Sequence, residues 1–235
     1  MDDRKELWPG GLSYAGDSVG TDSLALADFA GTPSARRGAD LGCGSGIVLL
    51  LLASGNARLA MDGVELRADA AALCRENIEA NGLSDRCRVY TGDLRTAWAR
   101  AGTMDLVVAN PPYFPAGSGT ASPDGERAAM RTESATLPEL CRSAALLLRP
   151  GGDFCLVHRA ERLAEVFSAL SAAGLEPKRL RALAARADRA PTLFLCRARK
   201  GARAGLAVDA PLYQFDALGA ETAEYRRICH WEGRT

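Results

Sequence analysis

The 235 residues carry 29 basic and 29 acidic side chains, so the formal net charge is zero and no global field argues for nucleic acid or a membrane surface. Apolar content of 47% and charged content of 25% are ordinary for a globular chain, and the length allows one well-buried core. The longest apolar stretch, Ile47 to Ala53, is far too short to span a bilayer.

Met1-Asp2-Asp3-Arg4-Lys5-Glu6 has no apolar core of a signal peptide, so the expected location is the cytoplasm, with no membrane partner. The cysteines Cys43, Cys74, Cys87, Cys141, Cys155, Cys196 and Cys229 are scattered, and no two form a C-x-x-C pair. With His158 and His230 as the histidines, no zinc-like spacing arises, and no metal is expected. The thiols read as small core residues in a reducing compartment. Arginine greatly outnumbers lysine (Lys5, Lys178 and Lys200), a bias that a GC-rich genome explains before any phosphate-binding role is needed.

In chain order, a glycine-rich, loop-like opening leads to Thr21-Asp22-Ser23 ahead of the run Leu24 to Phe29, with Thr21 or Asp22 the expected helix N-cap. Gly38 to Leu41 reads as a short strand entering a helix from Gly46 to Ala53. Leu59 to Val64 is a second strand, followed by an amphipathic helix from Ala68 to Asn81 that Gly82 terminates. Arg88-Val89-Tyr90 starts a third strand and Asp105 to Ala109 is the fourth. From Phe114 to Thr136 no period is visible, and so long a loop inside a domain is more often functional than idle. A helix from Pro138 to Leu148, a turn at Arg149-Pro150-Gly151-Gly152, a strand from Phe154 to Val157 and a helix from Arg162 to Ala173 follow. Arg179 to Ala185 and Thr192 to Arg199 are separated by a short polar segment that suits an antiparallel pair and not a helical crossover. The pattern predicts a three-layer α/β sandwich around a mostly parallel sheet, closed by an antiparallel hairpin. Nothing marks a domain boundary. The chain reads as one domain, 1–235, with a cap segment 1–34, a core 35–200 and a C-terminal extension 201–235.

Two motifs carry chemistry. The first is Asp40-Leu41-Gly42-Cys43-Gly44-Ser45-Gly46, a glycine-rich turn between a strand and a helix. Glycines let the backbone turn sharply and approach a ligand without Cβ obstruction. A dinucleotide fingerprint wants glycine or alanine where this chain has Ile47, so the spacing fits a nucleotide-like cofactor without a pyrophosphate. Asp40, Gly42, Gly44 and Gly46 would line that site, with Asp40 facing a cationic amino-acid end. Glu65 ends the second strand, where a carboxylate can accept from both ribose hydroxyls; the alternative is a solvated strand end. Asp93, followed by Leu94, ends the third strand and would accept from an adenine amino group, or else cap the next helix. Asp62 is the weaker ribose candidate, because its side chain should point off the site.

The second motif is Asn110-Pro111-Pro112-Tyr113, at the carboxyl end of the fourth strand, where doubly wound sheets place ligands. An amide or adenine nitrogen is a poor nucleophile because its lone pair is delocalised. Two acceptors holding its two hydrogens can rehybridise it: the Asn110 side-chain oxygen and the Pro111 carbonyl, whose direction the proline pair fixes. Tyr113 offers a π-face on which a flipped-out base can stack. The bland alternative is a proline-stiffened turn with an asparagine cap.

These motifs resemble those of S-adenosylmethionine-dependent amino-methyltransferases. More narrowly, the chain is similar over nearly its whole length to the bacterial family of valine-tRNA adenine-N6 methyltransferases. The likeness runs from Thr21-Asp22-Ser23-Leu24 through Asp40 to Gly46, Gly63-Val64-Glu65, Asn110 to Phe114 and Arg149-Pro150-Gly151-Gly152. It continues through Cys196 to Gly201 and Pro211-Leu212-Tyr213. Arg127, Arg131 and Glu133 match the family's charged loop, whereas Met130 stands where alanine is expected. The resemblance implies a seven-stranded Rossmann-like sheet, S-adenosylmethionine as cofactor, tRNA as partner and methylation of the adenine N6 beside the anticodon.

On that reading Asn110, Pro111 and Tyr113 are catalytic, with Asn110 also against the cofactor. Pro112, Phe114, Arg127, Arg131, Arg197, Arg199 and Lys200 would touch substrate. The basic segment from Lys178 to Arg203 could track phosphates or be the solvated face of a hairpin. The same N-P-P-Y motif also serves guanine-N2 methylation of rRNA and glutamine-N5 methylation of proteins. The latter class carries a helical substrate domain for which little chain precedes Asp40. A non-catalytic RNA-binding module is disfavoured by the intact motif.

Overall fold

From Leu106 to Ala109 the side chains go alternately to two separate apolar clusters, Leu106 and Val108 to one, Val107 and Ala109 to the other. The same alternation sends Cys155 and Val157 one way, Phe154 and Leu156 the other. A sheet covered on both faces buries every position of its central strands, so these read in sequence as unbroken apolar runs. The computed structural model describes residues 5–7, 11–16, 19–31, 33–96, 100–111 and 135–229.

Among these residues the elements are β1 (Lys5–Leu7), β2 (Leu12–Tyr14), α1 (Thr21–Ala30), β3 (Arg37–Leu41), α2 (Ile47–Gly55), β4 (Ala60–Glu65), α3 (Ala68–Ala80), β5 (Cys87–Thr91) and β6 (Met104–Ala109). There follow α4 (Leu137–Leu147), β7 (Leu148–Arg159), a 3-10 turn (Ala160–Arg162), α5 (Leu163–Ala172), β8 (Leu175–Ala184), β9 (Leu193–Lys200), β10 (Ala207–Val208), β11 (Leu212–Tyr213) and α6 (Ala223–Cys229). The main sheet has the order β10-β8-β9-β7-β6-β3-β4-β5, with β11 also on β8. Strands β5, β4, β3, β6 and β7 are parallel, and β9 runs antiparallel to both neighbours, β7 and β8. The predicted hairpin is therefore present, but its second strand is inserted between the first and the rest of the sheet.

Two local expectations change. Helix α1 begins at Thr21 with Gly20 at the N-cap and no side-chain cap. The Thr21 hydroxyl is bonded instead to Tyr225 Oη at 2.8 Å, a tertiary contact, and an Asp22 oxygen accepts the N–H of the adjacent Ser23 at 2.8 Å. Arg149-Pro150-Gly151-Gly152 is not a free turn but an irregularity inside β7, where Met104 pairs with Leu148 while Leu106 pairs with Asp153. A Cβ on Gly152 would stand 2.9 Å from the Met104 carbonyl, which explains glycine there. The short strands β1, β2, β10 and β11 and helix α6 carry too few apolar positions to show a period.

Phe154 is fully buried between β7 and the cluster that α4 and α5 build. Phe154→Ala should cost about 3–5 kcal/mol of unfolding free energy. A urea titration with an unchanged slope and a lowered midpoint is the expected result.

Candidate active site

Parallel register decides what meets what. β3 pairs with β4 as Asp40↔Gly63 and Leu41↔Val64, and with β6 as Asp40↔Val108. The chain leaves these strands at Gly42, at Glu65 and at Asn110, side by side along the carboxyl edge. Glu65 in turn pairs with Thr91, which brings Asp93 to the same edge.

The turn after β3 is wide open. Gly42, Gly44 and Gly46 have φ of 76°, 53° and 93°, conformations that a Cβ disfavours. A Cβ at Gly42 or Gly44 would meet nothing within 4 Å, so these two face free space, whereas at Gly46 it would lie 2.3 Å from Cys74 Sγ. Gly46 thus serves the close packing of α2 on α3. The N–H groups of Gly42 and Cys43 donate to the Val64 carbonyl at 2.8 and 3.0 Å, which ties the turn to β4.

Asp40 is 2% exposed and has no cationic partner among the described residues. Burial pushes its carboxyl up to about 7, with the Glu65 charge adding to the rise and the Leu49 backbone N–H opposing it. A buried acid in this state fits a ligand that brings a positive charge. Glu65 folds over the turn, accepting the Gly44 N–H on Oε2 at 2.9 Å and the Arg67 N–H on Oε1 at 3.0 Å. Asp62 points elsewhere and pairs with Arg100 at 2.9 Å. Arg95 Nε reaches both oxygens of Asp93 at 2.9 and 2.8 Å, and this bonding holds the Asp93 carboxyl below its usual range. Leu94 packs, half-buried, against the cluster on the α4 face.

Asn110 is half-buried, and its Nδ2 donates to Ser23 Oγ on α1 at 3.0 Å. Pro111 follows it, also half-buried. Pro112, Tyr113, Phe114, Arg127 and Arg131 lie outside the described residues.

Sequence reasoning missed the wall on the other side of the turn. Asn77, fully buried on α3, accepts the Ala15 N–H at 2.9 Å and donates to the carbonyls of Ala15 and Ser45 at 2.8 and 2.9 Å. Asn81, one helical turn on, accepts the Ser13 N–H at 2.8 Å and donates to the Ser13 carbonyl at 2.7 Å. Tyr14 Oη bonds Ser45 Oγ. The two amides act like a neighbouring strand and hold β2 against the glycine-rich turn. The available signal was an asparagine next to Ile78 on the apolar face of α3, repeated four residues later.

The expectation that Arg197, Arg199 and Lys200 touch substrate is corrected by the register. Arg199 pairs opposite Asp153 and Lys200 opposite Leu175, at the amino edge, a strand's length from Asn110. Arg199 holds Asp153 through Nε and Nη2 at 2.7 and 3.1 Å. Lys200 Nζ donates to the carbonyls of Ala145 and Leu148 at 2.6 and 2.7 Å, capping the negative end of α4. Arg197 lies against Phe29, donating to its carbonyl at 2.6 Å. Of the basic segment, Arg186 and Arg189 stand in the β8–β9 loop on the carboxyl edge, as does the exposed Arg159 at the end of β7.

A mostly parallel sheet of this order, with an open glycine cradle, a buried uncompensated acid and an asparagine at one edge, defines an S-adenosylmethionine-dependent methyltransferase with a Rossmann-like fold. The residues fit that cofactor: Asp40 for its charged amino-acid end and the Gly42–Gly44 cradle for close approach. The family model described as methyltransferase small domain matches residues 13–173, and the chain belongs to that family.

A tRNA1(Val) (adenine(37)-N6)-methyltransferase of Tolumonas auensis is 36% identical over 179 residues, 75% of this chain and 74% of that protein. Its namesake from Cronobacter sakazakii is 39% identical over 65% of this chain and 62% of its own length. The crystal structure of a predicted O-methyltransferase from Agrobacterium tumefaciens superposes with a TM-score of 0.72 at 22% identity, covering 88% of this chain and 94% of the other, a likeness of fold. Among the described residues no helix is long and apolar enough to cross a membrane, and no three His, Cys, Asp or Glu side chains group to hold a metal.

The buried acid has two measurable consequences. A folded carboxyl titrating near 7, against the ordinary 3.8, takes up a proton that the unfolded chain does not hold between about pH 4 and 7. Stability of the cofactor-free protein therefore falls as pH rises through that window. Asp40→Asn should raise its melting temperature more at pH 8 than at pH 5. In the parent protein, cofactor affinity by calorimetry should weaken from pH 8 to pH 6, as Asp40 becomes protonated. A pH-independent affinity would remove Asp40 from the cofactor site.

Proposed function

We propose that this protein transfers a methyl group to the exocyclic N6 amine of an adenine in tRNA, at the position beside the anticodon. The placement of Asn110 on the same strand edge as the glycine cradle and Asp40 carries the reading, and the names of the relatives narrow it to tRNA. Bound S-adenosylmethionine supplies an electrophilic methyl group on a sulfonium. Asp40 holds the cofactor's ammonium end, Glu65 accepts from its ribose hydroxyls, and Asp93 with Leu94 borders its adenine. The Asn110 side-chain oxygen and the Pro111 carbonyl each accept one hydrogen of the target amine, which frees the nitrogen lone pair toward the methyl carbon. Tyr113, with Pro112 and Phe114, stacks the flipped base, an interaction worth about 1–3 kcal/mol. Holding the target amine by two acceptors would supply much of the rate gain through positioning. No strong base is needed, since the methylated amine sheds its proton readily.

The whole of 1–235 acts as one catalytic domain on this reading, and its working place is the cytoplasm, where tRNA is modified. Arg159, Arg186 and Arg189, together with Arg127 and Arg131, contact tRNA phosphates.

Incubation of total tRNA with labelled cofactor, followed by nucleoside analysis, should give N6-methyladenosine. Label in N2-methylguanosine or in protein would replace this reading by one of its rivals. Asn110→Ala should lower kcat by about 10²–10³-fold, the usual scale for losing one preorganised hydrogen-bond partner, with cofactor affinity within a few-fold. Arg189→Ala should raise the KM for tRNA and reduce its logarithmic salt slope by about one. Arg199→Ala should destabilise the fold and leave that slope unchanged.

A further inference from the structure

An asparagine side chain has two unlike ends of nearly the same shape, an oxygen that accepts and an NH2 that donates. Which end faces a target amine decides everything at the site: the oxygen attracts the amine's hydrogens, and the NH2 repels them. The backbone at Asn110 fixes where the amide lies but not which way round it turns. A second contact must do that.

We propose that Ser23 is a positioning residue for the transfer, its hydroxyl oxygen holding the NH2 end of Asn110 so that the Oδ1 end faces the substrate amine. The inference rests on the reading of Asn110 as an acceptor for an exocyclic amine, whichever base or side chain carries that amine. Ser23 Oγ stands 3.0 Å from Asn110 Nδ2, across 87 residues of sequence, and Ser23 is 7% exposed.

Its helix is a firm platform. Seven of the ten residues of α1 are buried, Thr21 is bonded to Tyr225, and Asp28 is paired with Arg227 at 3.1 Å, so α6 fastens both ends. Ser23 is the polar member of the buried face of α1, among Leu24, Ala25, Leu26, Ala27, Phe29 and Ala30. The hydroxyl on that face accepts from the Asn110 amide. Positioning of this kind acts on the geometry of the reacting pair, because the contact of the Ser23 hydroxyl is with the Asn110 amide and not with the glycine-rich turn.

The test compares the parent protein with Ser23→Ala and Ser23→Thr, the latter keeping the hydroxyl. Ser23→Ala should lower kcat about ten- to hundred-fold, the scale of a misplaced reacting group, with cofactor Kd within about two-fold. Ser23→Thr should recover most of the loss. The second readout needs no substrate: the side-chain NH2 signals of Asn110, assigned by their absence in Asn110→Asp, should exchange with water about ten-fold faster in Ser23→Ala than in the parent. Unchanged exchange overturns the proposal, even if kcat falls, since the effect would then be general. Parent protein that fails to methylate tRNA refutes the tRNA reading alone, and the exchange measurement still decides the role of Ser23.

Discussion

The pairing of β4, β3 and β6 in parallel is the constraint on which the rest depends. Parallel strands end at the same edge, so the glycine-rich turn, Glu65 and Asn110, far apart in sequence, become neighbours through backbone pairing. The two faces of these strands are buried in separate apolar clusters, which leaves the strand ends as the place where polar groups can gather. The opposite edge is closed by ion pairs. Asp105 accepts the N–H groups of Arg36 and Arg37 at 2.8 and 3.0 Å and the Arg149 Nε at 2.6 Å, and Asp153 takes Arg199 beside it. Chemistry is thus confined to one rim, and the charges of the other are spent on holding strands together.

The open rim costs stability. Asp40 is kept in the protein interior with its carboxyl pushed up to about 7 and, among the described residues, no cation beside it. Two glycines in left-handed turns face empty space where side chains would otherwise pack. A site that must receive a charged ligand keeps such features, since filling them would stabilise the empty protein and exclude the ligand. Burial of the surrounding sheet offsets that cost.

The flanks brace this rim from two sides. Asn77 and Asn81 fasten β2 to α3 and to the glycine-rich turn through Ser45. At the other side α6 holds α1 through Tyr225 and Arg227, while Arg181 links Glu224 to the sheet at 2.7 Å. Helix α1 in turn carries Ser23. The segments that sequence reading treats as a cap and an extension are therefore joined to each other and to the core, the extension holding α1 and α1 meeting Asn110.

What the sequence determined by itself is local in origin. Apolar runs and glycine positions were enough for the succession of elements from α1 to β9, for the turn at Gly42–Gly46 and for the placing of Glu65 and Asn110 at strand ends, because periodicity and backbone strain act over a few residues. Tertiary structure alone decided the insertion of β9 between β7 and β8, the loss of Thr21 as a cap to a partner 204 residues away, and the engagement of Arg197 by a carbonyl 168 residues away. It also decided that Asn110 meets Ser23. A charge or hydroxyl chooses its partner by distance in space, and that distance is set only when the layers have packed.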